Sequence, residues 1–290
     1  MKVGLSTYSL ESVIVDGQMD VLEAIEWIAA NGGDHVEIVP FGFDLVDNDE
    51  LIEDICKKTK EVGIDISNYA VLANLIQYDE EEYENEIKRI KMHVDIANKL
   101  GVKLMRHDVS AFRRKAEENT INNFEKDFPI MVKACRTIAD YAATYGITTT
   151  VENHGFYVNG SDRICRLVEQ VDRSNFKVTL DVGNFMCVDE DSLVGIKKLL
   201  PYTVMVHLKD FYLRYPSKHP GDGRWFITNH GNMIRGAIVG QGEIDIWQAL
   251  KMIKDYGYDG YISVEFEGME DSRLGSKIGM DNALRIFKEV

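Results

Sequence analysis

Nowhere does the chain carry an apolar run approaching the roughly 18 residues of a membrane span. Its first residues, MKVGLSTYSL, hold no apolar core long enough for a signal peptide. Cytoplasmic location with no membrane partner is the expectation. Cysteine is scarce: Cys56, Cys135, Cys165 and Cys187 stand without C-x-x-C spacing, and Cys135 and Cys165 sit among apolar neighbours as small hydrophobes do. They read as reduced and intracellular. Positive charge is also short. Against 48 Asp and Glu there are 33 Lys and Arg, a net charge of −15 that repels phosphate backbones and argues against nucleic acid as a partner. A small molecule fits better. With no low-complexity tract and no Pro-rich or Gly/Ser-rich linker, the 290 residues read as a single domain spanning 1–290.

What the chain does have is alternation. Short β-rich runs fall at 2–6, 35–39, 64–69, 103–106, 148–152, 177–181, 204–208 and 261–266. Between them lie amphipathic helical patterns such as ELIEDICKKTKEVG and YENEIKRIKMHVDIANKLG, several closed by the glycine of a helix C-cap. Strict β-then-α alternation makes a parallel sheet with right-handed crossovers, and eight units are the number that closes a (β/α)8 TIM barrel. An open doubly wound sheet is the competitor, but no G-x-G-x-x-G follows the first run. One segment breaks the rhythm: residues 211–243, the long β7-α7 loop of such a barrel, are rich in Gly, aromatics and charge. A loop that long in a compact domain, with that apolar content, reads as a lid over an active site.

Four polar residues close apolar runs: Glu152 in TTTVEN, Asp181 in KVTLDVGN, His207 in VMVHLKD and Glu265 in ISVEFEG. Charged groups there cost several kcal/mol unless paired or bound to a cation. A barrel points the C-terminal ends of all its strands into one bowl, so residues ending strands five to eight are neighbours in space. Three carboxylates and an imidazole suit an octahedral divalent ion, Mn²⁺ or Mg²⁺, with Zn²⁺ and Co²⁺ as alternatives. Singly, each residue reads as easily as a satisfied core histidine or an ion-pair partner; the coincidence of four is what points to a site.

Together VENHG, TLDVGN, VHLKD, GQGEID and SVEFEG resemble the xylose-isomerase-like TIM-barrel superfamily of sugar and sugar-phosphate isomerases and epimerases, which also holds the endonuclease IV type of repair enzyme. The resemblance implies that Glu152, Asp181, His207 and Glu265 are the ligands of one divalent ion, often Mn²⁺, and that Glu152 and Glu265 form an acid/base pair on opposite faces of a sugar. It also implies a homodimer or homotetramer. Removing a proton beside a carbonyl leaves an enediolate, whose charge such an ion stabilises.

Residues of lower rank surround this quartet. His154, two past Glu152, and Lys209, two past His207, are candidates for holding a substrate hydroxyl, with Asp210 orienting Lys209. Arg106, His107 and Asp108 end the fourth run and Glu37 the second, and are expected on the wall opposite the metal, against distal hydroxyls or a phosphate. Tyr8 and Trp225 are candidates for packing on an apolar sugar face. Asn184 stands where the endonuclease branch has a histidine for an additional zinc, so a single metal site is expected. The glycines of GQGEID, at 240–245, suit positive φ or close approach to substrate.

The leading expectation is therefore a metal-dependent sugar isomerase or epimerase acting on a carbohydrate. A dehydratase or lyase on a keto-inositol, keto-sugar or 3-keto-glycoside is the alternative, with His154 or Lys209 as the extra acid. An abasic-site phosphodiesterase is opposed by the charge of −15 and by Asn184. A non-catalytic sugar-binding barrel leaves the two glutamates unexplained.

Overall fold

The computed structural model describes residues 1–290, the side chain of Ala116 aside. In chain order its strands are β1 (Lys2–Ser6), β2 (His35–Ile38), β3 (Asp65–Val71), β4 (Leu104–His107), β5 (Thr148–Glu152), β6 (Phe176–Asp181), β7 (Thr203–Leu208), β8 (Asp210–Arg214), β9 (Phe226–Ile227), β10 (Met233–Ala237) and β11 (Tyr261–Val264). The helices are α1 (Glu11–Val15), α2 (Val21–Ala30), α3 (Asp49–Val62), α4 (Glu80–Leu100), α5 (Ile121–Ala143), α6 (Ser161–Val171), α7 (Ser192–Leu199), α8 (Ile246–Asp255) and α9 (Ser272–Glu289). Eight strands close a barrel in the order β1-β11-β7-β6-β5-β4-β3-β2, and every pairing in it is parallel. This is the (β/α)8 architecture expected from the alternation, with helices around the strands.

Local chemistry explains the element ends. Asp20 and Glu23 form a reciprocal capping box at the start of α2. Asn48 and Asp79 cap α3 and α4, which stop at Gly63 (φ 77°) and Gly101 (φ 75°) in the left-handed conformation. Buried Val, Ile, Leu and Ala side chains from strands and helices make one continuous core. Register does the rest for the site: Asp181 pairs with His207 across β6 and β7, so two of the four charged strand ends stand side by side. The last strand is shorter than the run of 261–266 suggests, ending at Val264, yet the Glu265 amide still donates to the Leu208 carbonyl (2.9 Å) and is held at the rim.

The segment 211–243 differs from the expected lid. It carries a second sheet, antiparallel, in the order β8-β10-β9, with Asp210 opposite Ala237 and Arg214 opposite Met233. Phe211 and Ile234 bury against Phe156 and Cys187 in a small apolar cluster of their own. Polar contacts tie the far end of the sheet to the loops after β4, β5 and β6: Arg113 donates to the Ile227 carbonyl (2.6 Å), Asn229 to that of Phe156 (2.8 Å), and Thr228, His230 and Asn232 all donate to the Asp189 carboxylate. The insertion buttresses neighbouring loops; it contributes no lining residue to the bowl cavity described below.

The fold carries a titratable weak point. His35 on β2 is fully buried, its Nε2 3.0 Å from the Ile262 carbonyl, and burial pushes its pKa down to about 4 from the ordinary 6.5. Above pH 6.5 the ring is neutral in folded and unfolded chains alike. As pH falls from there toward 4, only the unfolded chain takes up the proton, so stability falls by about 3 kcal/mol across that window. Urea unfolding at pH 7 and pH 5 should show a steeper loss in the wild type than in His35→Gln; equal losses would remove His35 as the cause.

Candidate metal centre and active site

The four charged strand ends converge. Glu152 and Asp181 are the last residues of β5 and β6, His207 is next to last in β7, and Glu265 directly follows β11. One ligand atom from each can be chosen so that all lie within 4.8 Å of one another, and all four residues are buried. His207 Nδ1 stands 3.5 Å from Glu152 Oε1 and 3.4 Å from Glu265 Oε1. On the other edge of the ring, Nε2 is 2.9 Å from Glu37 Oε1. With the Nε2 proton given to that carboxylate, the Nδ1 lone pair faces the cluster, the arrangement that orients histidine for a metal.

Whether these residues suit a divalent ion is tested by their unsatisfied atoms. Asp181 Oδ2 and His207 Nδ1 are buried without a hydrogen-bond partner. A buried polar atom left unpaired costs about 1 to 3 kcal/mol, and two in one cluster call for a common partner. Asp181 Oδ1, by contrast, accepts from the Gly183 and Asn184 amides at 2.7 and 2.8 Å, which leaves Oδ2 free to face the cluster. Three carboxylates and one imidazole form a hard, oxygen-rich donor set. The residues fit.

Electrostatics reflects the crowding. Burial pushes the Asp181 carboxyl up to about 7; Lys209 opposes the rise while Glu152 and Glu265 add to it. Burial works against the charge of Glu152 too, but Arg106 and then His207 overcome it and hold that carboxyl well below the usual range. The Arg106 guanidinium, itself buried, lies 2.7 Å from Glu152 Oε2 and 2.9 Å from Asp108 Oδ1. Asn184 donates to Glu152 Oε1 at 3.0 Å. Lys209 is equally enclosed, with Nζ 3.0 Å from Glu265, 3.6 Å from Glu267 and 3.7 Å from Asp181.

A cavity of about 300 Å³ reaches this cluster and is lined on its polar side by Arg106, Glu152, His154, His207, Lys209 and Glu265. A larger surface hollow of about 1010 Å³ lies beside the starts of β3, β4 and β11 and holds none of the four. Barrel chemistry sits at the C-terminal strand ends, so the smaller cavity is the candidate site.

Several expected placements need correction. Glu37 does not face distal substrate: it is fully buried, bonded to His207 and to Asn68 Nδ2 (2.7 Å). Arg106 lines the cavity, but its charge is already taken by Glu152 and Asp108. His107 turns away from the bowl, because successive strand residues alternate sides; its ring lies 6.2 Å from Phe176 and Nδ1 meets the Asp108 carbonyl at 2.9 Å. Trp225 is outside the cavity lining, with Arg235 and Arg214 against its ring at 4.8 and 5.7 Å. Asp210 does not orient Lys209. Its carboxylate accepts from the Gly240, Gly242 and Ile244 amides at 3.0, 2.8 and 3.3 Å, pinning the glycine turn. A Cβ at Gly242 would come within 2.1 Å of that carboxylate, so this glycine serves close approach to Asp210.

His154 and Lys209 do line the cavity, His154 with Nδ1 3.0 Å from Asp108 Oδ1. Tyr8 lines it as well, its hydroxyl donating to Glu267 at 3.0 Å. Glu267 was not among the candidates; its spacing of two from Glu265, which puts both on one side of an extended chain, is the signal that could have found it.

Comparison with known proteins agrees with the geometry. The family described as xylose isomerase-like TIM barrel matches residues 25–289. The chain belongs to that family. Among curated relatives of this xylose isomerase-like barrel, the inosose dehydratase of Clostridium perfringens is 24% identical over 195 residues, 64% of each chain. The barrel thus spans just under two thirds of the length of that relative. Among solved structures, the D-psicose 3-epimerase of Clostridium cellulolyticum H10 with D-tagatose superposes with a TM-score of 0.74 at 18% identity, covering 99% of both chains. The IOLI protein with a bound zinc atom gives 0.74 at 18% identity, covering 100% of this chain and 97% of its own. Among the described residues no helix is long and apolar enough to cross a membrane.

Proposed function

We propose that this xylose isomerase-like barrel is a divalent-metal-dependent isomerase or epimerase of a sugar, moving a proton on a carbon beside a carbonyl. The reading rests above all on Glu152 and Glu265 flanking His207 Nδ1 at 3.5 and 3.4 Å while both line one cavity. Glu152, Asp181, His207 and Glu265 would hold the ion, Mn²⁺ or another of the divalent ions this oxygen-rich donor set accepts. When bound, such an ion acts as a Lewis acid toward a substrate carbonyl. The two glutamates divide the proton work, one taking it from carbon and the other returning one. Arg106 keeps Glu152 ionised and fixed, and Lys209 holds Glu265 in place from the other side. The likeness to a D-psicose 3-epimerase supports the same assignment.

A dehydratase acting on a keto-inositol or keto-sugar is the second reading. It is favoured by the buried Lys209 ammonium, 3.0 Å from Glu265, which can protonate a departing hydroxyl, and by the inosose dehydratase relative. Both readings begin with proton loss from carbon. Incubation of the Mn²⁺-loaded protein in D₂O with a panel of keto-sugars and keto-inositols should place deuterium on carbon next to the carbonyl for at least one of them. Exchange with recovery of an epimer or isomer supports the first reading and water release the second; a panel without exchange refutes proton transfer.

A further inference from the structure

At the end of the barrel away from the charged quartet, the starts of β3 and β4 are left uncovered. Helix α3 ends at Val62 and β3 begins at Asp65, while α4 ends at Leu100 and β4 begins at Leu104, so each helix passes to its strand through a very short connection. Gly63 and Gly101 turn these connections in the left-handed conformation, and nothing lies within 4 Å of where a Cβ on either would stand. Such turns cannot cover the strand starts. The hollow of about 1010 Å³ opens at this point, and Ile64, Ile66, Leu104 and the ring of Tyr261 stay only half-buried along it. Ile64 and Ile66, two apart in extended chain, face the same way. Buried Leu100 and Val102 continue the apolar lining from the α4 side. The hollow shares no residue with the bowl cavity.

Charge at its rim runs against that of the whole chain. Lys57, Lys60, Lys99 and Lys103 line it with Asp49, Glu53 and Asp65, in a protein whose net charge is −15. Two of those carboxylates are already engaged. Asp49 holds Lys99 at 2.6 Å, and Asp65 is matched by Lys2 and by the Tyr261 hydroxyl, which donates to it at 2.9 Å. Lys57 has Glu61 at 3.9 Å, whereas Lys60 and Lys103 make no ion pair among the described residues. Burial pushes the Cys56 thiol up and Lys60 opposes the rise, which puts that ammonium close to a half-buried sulfur of the same lining. Unpaired surface lysines are ordinary by themselves. Two of them beside an uncovered apolar lining join an anion site to a hydrophobic one. A purely polar metabolite would leave the isoleucines and Leu104 in water, and a cationic amphiphile would meet like charge.

We infer that this hollow binds an amphiphilic anion, a small carboxylate-type head group on an apolar chain, with the head at Lys60 and Lys103 and the chain over Ile64, Ile66, Leu104 and Tyr261. Its size and its mostly apolar lining with few polar groups are those of a small-molecule site. The site is separate from the bowl and independent of the chemistry proposed there. Calorimetry of the Mn²⁺-loaded protein with decanoate, hexanoate and decyltrimethylammonium, each below its micelle-forming concentration, tests it. Decanoate should bind about tenfold or more tighter than hexanoate, because each buried methylene contributes roughly three- to fourfold. The cationic chain should bind more weakly than decanoate. Lys60→Ala and Lys103→Ala, both at exposed positions, should together lower decanoate affinity by about fivefold or more, while Mn²⁺ uptake reports an intact fold. No decanoate binding, equal binding of the cationic chain, or undiminished binding by the double variant overturns the inference. So does a dimer that the double variant dissociates, which would give the hollow to a second copy of the chain.

Discussion

Glu265→Gln should lower turnover by about a thousandfold, the scale on which a general acid or base contributes, while an ion still binds at saturating Mn²⁺. Gln keeps the shape and one oxygen donor but can neither take nor return a proton. The same variant loses the partner of Lys209 Nζ at 3.0 Å, yet Glu267 at 3.6 Å remains to hold the ammonium, so the cavity should keep its form. Loss of deuterium exchange with retained metal is the expected pair of results. A variant that turns over at the wild-type rate takes Glu265 out of the acid/base role.

Glu37→Gln should weaken Mn²⁺ binding by about ten- to a hundredfold without unfolding the barrel, the effect usual for a residue that orients a metal-binding histidine. Glu37 is fully buried and does not line the bowl cavity, so a change in metal affinity acts through the His207 contact, 2.9 Å away, together with the loss of a buried negative charge near the cluster. Replacing its carboxylate by an amide weakens the hold on the Nε2 proton and with it the orientation of Nδ1. Calorimetric titration of the variant reads this directly; wild-type affinity would show that His207 is positioned by other means.

The two glutamates differ in how visible they were in sequence. Glu265 announces itself, because a carboxylate closing ISVEFEG has no cheap structural explanation and barrel topology then seats it beside three others. Glu37 lies in HVEI and pairs with a residue 170 positions later, across the barrel; no local pattern encodes that contact. Strand periodicity and the eightfold alternation were enough for the architecture, since each is a local property repeated along the chain. The side each residue faces was harder. His107 follows Arg106 and so turns outward, a consequence of strand geometry that was available but that the clustering of Arg106, His107 and Asp108 obscured.

The segment 211–243 was misread for a different reason. Its length and apolar content suggest a lid, but DFYLR and MIRGA pair as antiparallel strands and satisfy their own backbone groups away from the cavity. Asp210 likewise looked like a companion to Lys209 because it follows in HLKD, whereas its carboxylate accepts amides from a glycine turn some thirty residues on. The apolar lining of the cavity is invisible for a simpler reason: Val39, Phe41, Leu72 and Phe112, past the ends of β2, β3 and β4, are indistinguishable in sequence from further core.

Titration of the metal-stripped protein with Mn²⁺, followed by calorimetry and thermal unfolding, tests the central claim most directly, namely that the four charged strand ends form one divalent-metal site. One ion should bind per chain. Saturation to a hundred times the dissociation constant should add about 2.7 kcal/mol of stability, with Asp181→Asn losing most of both the binding and the stabilisation. No binding, or unchanged binding by Asp181→Asn, would contradict it.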